Sequence, residues 1–283
     1  MTITGPEQVE IDRANQSDSV PIVFVHGMWL LAGSWQSWRD HVGAQGFATL
    51  APGWPDDPVT VDEARKHPEV LAGKGVGQVT GHYTSVIRAL ERQPVVIGHG
   101  FGGLIAQKLA GLGLARAAVA IDPAPFRGVL RLPLSTLKAC SAVLRNPRNY
   151  NRSVMLTEKQ FRFAFGNAGS VAESDDLYGR YAVPAPGRPV FQAATANLNP
   201  RTEASVDTRN PERGPMLLIS GEKDNTVPWA LANAAFNRQG RNPDPTEITE
   251  LRGRGHALVI DSGWQEVADT ALEFLTKHRV IAS

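Results

Sequence analysis

The stretch from Pro94 to Ile105 constrains the fold of this chain more than any other. Pro94-Val95-Val96-Ile97 is apolar and β-branched, which favours a buried strand. Gly98-His99-Gly100-Phe101-Gly102-Gly103 then places four glycines in six positions, and Leu104-Ile105 resumes an apolar run. Glycine alone turns a chain freely through positive φ and lets two backbones approach closely. The segment therefore predicts a strand, a tight turn and a helix, the repeating unit of a parallel α/β sheet.

The rest of the chain repeats that alternation. Pro21-Ile22-Val23-Phe24-Val25 is a near-continuous apolar run ending at His26-Gly27, as expected of a parallel strand covered on both faces. A helix carrying Trp35 and Trp38 follows, then a strand from Phe47 to Leu50, a helix from about Gly81 to Arg92, and a strand from Ala117 to Ile121. After Pro123 prolines punctuate short helical pieces, one of them opened by the capping box Thr157-Glu158-Lys159-Gln160. Alternation resumes with a strand from Pro215 to Ser220, a helix after Val227-Pro228, and a strand from about Glu247 to Leu251. Ser262 to Gln265 read as the cap of a final helix that buries Val267, Ala271, Leu272 and Leu275. This organisation predicts a core of residues 1–122 and 212–283, with 123–211 as an inserted helical cap.

Four pieces occur in one order: His26-Gly27-Met28-Trp29 after the first strand, Gly98-His99-Gly100-Phe101-Gly102, Gly221-Glu222-Lys223-Asp224, and Gly253-Arg254-Gly255-His256. Together they resemble the α/β-hydrolase superfamily, whose nucleophile elbow reads Gly-x-Ser-x-Gly and whose triad runs nucleophile, acid, base along the chain. The resemblance spans nearly the whole chain and implies a mostly parallel sheet covered by helices. It implies Asp224 as the acid, His256 as the base, and the amides of Met28 and Phe101 as the oxyanion hole. Trp29, His99, Phe161 and Phe165 are the expected substrate-binding residues, around a small apolar or aromatic acyl or ester compound. The departure is at the centre, where Gly100 stands in the serine position and supplies no attacking oxygen. A carboxylic ester or lactone hydrolase disabled at its nucleophile, or one that traps substrate, is the expected form.

Other readings of the same residues stay open. Asp122, at the end of its strand, is an alternative position for the acid. His256 with Asp224 would also suit a cofactor-free lyase, isomerase or cyclase, and the pocket would suit a non-catalytic binding protein. Gly98-x-Gly100-x-x-Gly103 with Asp122 also matches a dinucleotide-binding fingerprint, although at least two strands precede it, where that fingerprint usually sits on the first.

Composition narrows the classes. A formal net charge of +1 without a Lys/Arg block gives no expectation of nucleic acid, and Arg145, Arg148 and Arg152 read as a solvated face. Cys140 is the single cysteine, so no internal disulfide or multi-cysteine metal site is expected. No histidine pair has ligand spacing, and neither metal nor cofactor is expected. No secretory signal or membrane-length apolar run is evident, so a cytoplasmic location without membrane association is expected, with the oligomeric state unread.

Overall fold

The computed structural model describes residues 2–280. Its strands are β1 (Pro21–Val25), β2 (Ala48–Leu50), β3 (Val95–His99), β4 (Ala117–Ile121), β5 (Ser153–Val154), β6 (Ala185–Pro186), β7 (Met216–Gly221) and β8 (Thr246–Leu251). Six of them form one sheet in the order β2-β1-β3-β4-β7-β8, every neighbouring pair parallel. The short β5 and β6 make a separate antiparallel ribbon. Every residue of β1, β3, β4 and β7 is buried, which accounts for their unbroken apolar runs. The edge strand β8 is only half-buried, and its sequence is correspondingly more polar. Fold class and sheet direction are as the sequence predicts.

Three boundaries differ from expectation. The helix expected over Gly81–Arg92 runs from Val76 to Arg88. It begins early because the Gln78 amide oxygen accepts from Gly75 N–H at 2.9 Å. It stops early because Asn15 donates to Ala89 O at 3.0 Å and accepts from Glu91 N–H at 2.9 Å. Asn15 belongs to an N-terminal helix, Gly5–Gln16, which the sequence reading omitted although Thr4 and Glu7 form its capping box. The last helix, Trp264–Lys277, buries the expected residues but is not capped by Ser262, whose N–H goes to Glu173 Oε1 at 2.9 Å. Asp261 Oδ1 instead accepts from Gly263 N–H at 3.0 Å.

Because β1 and β3 are neighbours while β2 lies outside β1, the chain reverses its winding at β1/β3, the position where open α/β sheets bind ligands. Between β4 and β7 the chain forms short helices, including Glu158–Ala164 with the expected Thr157–Gln160 capping box. Among the described residues no helix is long and apolar enough to cross a membrane.

Candidate active site

Every strand that borders the switch point delivers a site residue at its carboxyl end. Gly100 is the N-cap of the helix Phe101–Gly111 and has φ 57° and ψ −119°, a conformation that L-residues adopt under strain. Its N–H donates to Ile121 O at 2.9 Å, and its carbonyl accepts from Ala124 N–H at 2.9 Å, so the turn is tied to the end of β4. The flanking glycines answer to contact. A Cβ on Gly98 would fall 2.0 Å from Gly102 O, and one on Gly102 would fall 2.0 Å from Val25 O. The glycine pattern thus arises from backbone pressed on backbone within the sheet, and needs no phosphate to explain it.

Gly100 is less confined than its flanking glycines. A Cβ built there would meet His256 Nε2 at 3.3 Å, and no other side chain is nearer. His256 follows β8, is 3% exposed, and donates from Nδ1 to Asp224 Oδ2 at 2.6 Å. That bond leaves the lone pair of Nε2 directed at the turn. Asp224 follows β7 and uses its other oxygen to accept from Thr226 and Val227 N–H at 2.6 and 2.8 Å. Two backbone donors and one imidazole therefore hold this carboxylate in place.

Asp122 lies on the far side of the pair. Its Oδ1 accepts from Gly221 N–H at 2.8 Å, and its Oδ2 stands 3.8 Å from His256 Nδ1, beyond hydrogen-bond reach. Asp224 thus holds the imidazole directly, and Asp122 does not. Complete burial pushes the Asp122 carboxyl well above the ordinary carboxylate range, and the charge of Asp224 adds to the effect. Two carboxylates can only accept. A proton on Asp122 turns their contact into a hydrogen bond, which satisfies the otherwise unpartnered Oδ2.

His26 and His99 pack around this centre. His26 donates from Nδ1 to Gly27 O at 2.9 Å, stacks on Trp54, and has Nε2 3.1 Å from Asp57 Oδ2. Lys74 holds the other Asp57 oxygen at 3.0 Å in a buried ion pair. Asp57 and Lys74 escaped sequence reasoning, since neither lies in a motif. His99 donates from Nε2 to His256 O at 2.9 Å and lies against the imidazole with centroids 4.6 Å apart. Burial holds the His99 ring well below its usual pKa, so it is neutral. Among the described residues His99, Asp122 and His256 bring ligand-type atoms within 4.8 Å of one another, with one nitrogen of each imidazole held by the bonds above and Nδ1 of His99 without a partner.

A cavity of about 180 Å³ opens beside Gly100 and His256. Met28, Trp29, Phe101 and Phe165 line it, as expected, and Thr226 and Val227 join them. Neither Met28 nor Phe101 N–H has a hydrogen-bond acceptor among the described residues, and both residues border this cavity. Trp29 has φ 62° and donates from its indole to Val154 O at 3.0 Å. Two expected contacts are absent. Phe161 stacks behind Phe165 with parallel rings 4.9 Å apart, and His99 is shielded by His256 and Phe165. Leu130, Leu137, Leu144 and Val190, between β4 and β7, supply the opposite wall. They lay in a proline-broken stretch without periodicity, so nothing marked them out.

The family model for the alpha/beta hydrolase family matches residues 22–270. The chain belongs to that family. Solved structures of low identity share the hydrolase fold. A monoacylglycerol lipase from Paleococcus ferrophilus is 20% identical with a TM-score of 0.64, covering 93% of this chain and 97% of that one. An extracellular alpha/beta-hydrolase from a Paenibacillus species is 16% identical with a TM-score of 0.63, covering 92% and 98%. The methylesterase MES16 from Arabidopsis is 15% identical with a TM-score of 0.63, covering 91% and 99%. A search of curated proteins finds no sequence match.

Proposed function

We propose that this member of the hydrolase family binds small apolar or aromatic carboxylic esters or lactones in the cavity beside Gly100, and that it forms no covalent acyl-enzyme. The lipase and methylesterase names of similar structures support the ester class. The observation that carries the reading is the 3.3 Å between a Cβ at Gly100 and His256 Nε2, with Asp224 behind the imidazole. On this reading Met28 and Phe101 N–H receive the substrate carbonyl oxygen, the latter at the positive end of a helix. Residues 123–211 act as the cap that closes the apolar wall.

Glycine offers no nucleophile, so an acyl-enzyme cannot form. What remains is a base facing the carbonyl across a gap of one hydroxyl, where a water can be activated directly. Loss of a triad member leaves a rate on the order of 10³–10⁴-fold over water. Slow hydrolysis without an acyl intermediate is the expected activity. The bare Nε2 equally favours cofactor-free proton transfer on a bound carbonyl compound, and this is the second reading.

Stopped-flow hydrolysis of p-nitrophenyl acetate tests the proposal. A slow linear release abolished by His256→Ala supports it. A stoichiometric burst of p-nitrophenol would overturn it, because a burst requires a covalent intermediate.

A further inference from the structure

A second groove adjoins the ester cavity, and its chemistry is different. The two share Leu130 and Arg131. On the other side of the groove lies the helix Trp229–Gln239, from which Trp229 and Asn233 project one turn apart, with Arg238 and Arg241 at its end. No aspartate or glutamate lines the groove. Among the described residues the guanidinium groups of Arg131, Arg238 and Arg241 form no ion pair.

The walls of this groove are built features. Gly128 has φ 103°, and a Cβ there would stand 3.2 Å from the Arg238 guanidinium carbon, so glycine lets that group lie against the backbone. Gly128 N–H donates to Asn197 Oδ1 at 2.7 Å, and Asn197 donates to Val129 O at 2.9 Å. Asn197 also lines the ester cavity, so one side chain fixes the turn that carries Leu130 and Arg131 between the two spaces. Three arginines line this one groove without a carboxylate beside them, and an oxyanion there would match the planar guanidinium fork.

We propose that the Arg131–Arg238–Arg241 groove receives the oxyanion of an amphiphilic ligand whose apolar end enters the cavity beside Gly100. The ligand class is an ester or related carbonyl compound bearing a phosphate or carboxylate at the end remote from the reacting carbon. The apolar half of this assignment rests on the proposed function, and the anionic half rests on the groove alone.

Isothermal titration with octyl phosphate, octanol and inorganic phosphate separates the two halves. The natural chain should prefer octyl phosphate over octanol by at least about tenfold, the scale of one charge-assisted hydrogen bond. Raised salt should shrink that preference, and Arg238→Gln with Arg241→Gln should bring it close to one. A preference near one in the natural chain, or one that survives in the double variant, overturns the inference. Inorganic phosphate binding as tightly as octyl phosphate also overturns it, since the groove would then hold a free anion unconnected to the cavity. Should octanol fail to bind at all, the cavity reading falls as well. Octanol binding with no preference for octyl phosphate defeats only the anionic half.

Discussion

Nε2 of His256 lies 3.3 Å from where a Cβ on Gly100 would stand, which is the approach an imidazole needs to take a proton from a hydroxyl at that carbon. The backbone turn, the base and its carboxylate partner converge on one point beside Gly100.

Gly100→Ser would put a hydroxyl at that point. The variant should hydrolyse p-nitrophenyl acetate with a burst that the natural chain does not show, a gain on the order of 10²-fold or more. The same change should lower stability by roughly 1 kcal/mol, because φ is 57° at this position and glycine alone adopts it without strain. Thermal melting checks the second effect. A serine variant that is folded, unstrained and inactive would count against the site.

His256→Ala introduced into the Gly100→Ser protein should return the rate to about that of the natural chain. Base and nucleophile act as one unit, so losing either costs nearly the whole effect. Steady-state kinetics read this directly, and additive losses would mean that the hydroxyl acts without the imidazole.

Asp122 predicts a pH dependence. Burial foremost, then the neighbouring Asp224, raise its carboxyl well above the usual range, so the folded chain keeps a proton that the unfolded chain releases near pH 4. Its stabilising share is complete below that pH and is lost as pH rises towards the folded-state value. Asp122→Asn keeps the neutral shape and removes the titration. Urea unfolding between pH 5 and 8 should show a steeper loss of stability in the natural protein than in the variant. Equal slopes would mean that Asp122 is ionised in the fold.

Phe161 should matter for folding and little for ligand choice. It is fully buried and stacked on Phe165, which alone of the two meets the cavity. Phe161→Ala should cost about 3–5 kcal/mol on thermal or urea unfolding. A loss below about 1 kcal/mol would show that the stack is dispensable.

The parallel sheet was legible because β1, β3, β4 and β7 are covered on both faces and so read as unbroken apolar runs. Asp224 and His256 were legible through the family resemblance, which expects the acid and the base, in that chain order, in the loops after the last two strands of the sheet. Phe161 shows the limit. Its spacing puts it on the same helical face as Phe165, but which of two stacked rings meets the ligand depends on depth, which periodicity does not encode. Arg131 shows another limit, since it is distant in sequence from Arg238 and Arg241 and lines one groove with them only in the folded chain. Asp57 and Lys74 likewise meet His26 only in three dimensions.

The 2.0 Å approaches at Gly98 and Gly102 bear on how such a chain can change over time. Those two neighbours are locked, since any larger residue would push strand from helix and abolish the turn. At Gly100, between them, a Cβ meets only His256, at 3.3 Å, so a side chain there asks the imidazole to give slightly and the turn to hold a positive φ, with no backbone in the way. Chemistry at this turn is therefore only loosely coupled to architecture, and a hydroxyl at this position is one residue change away.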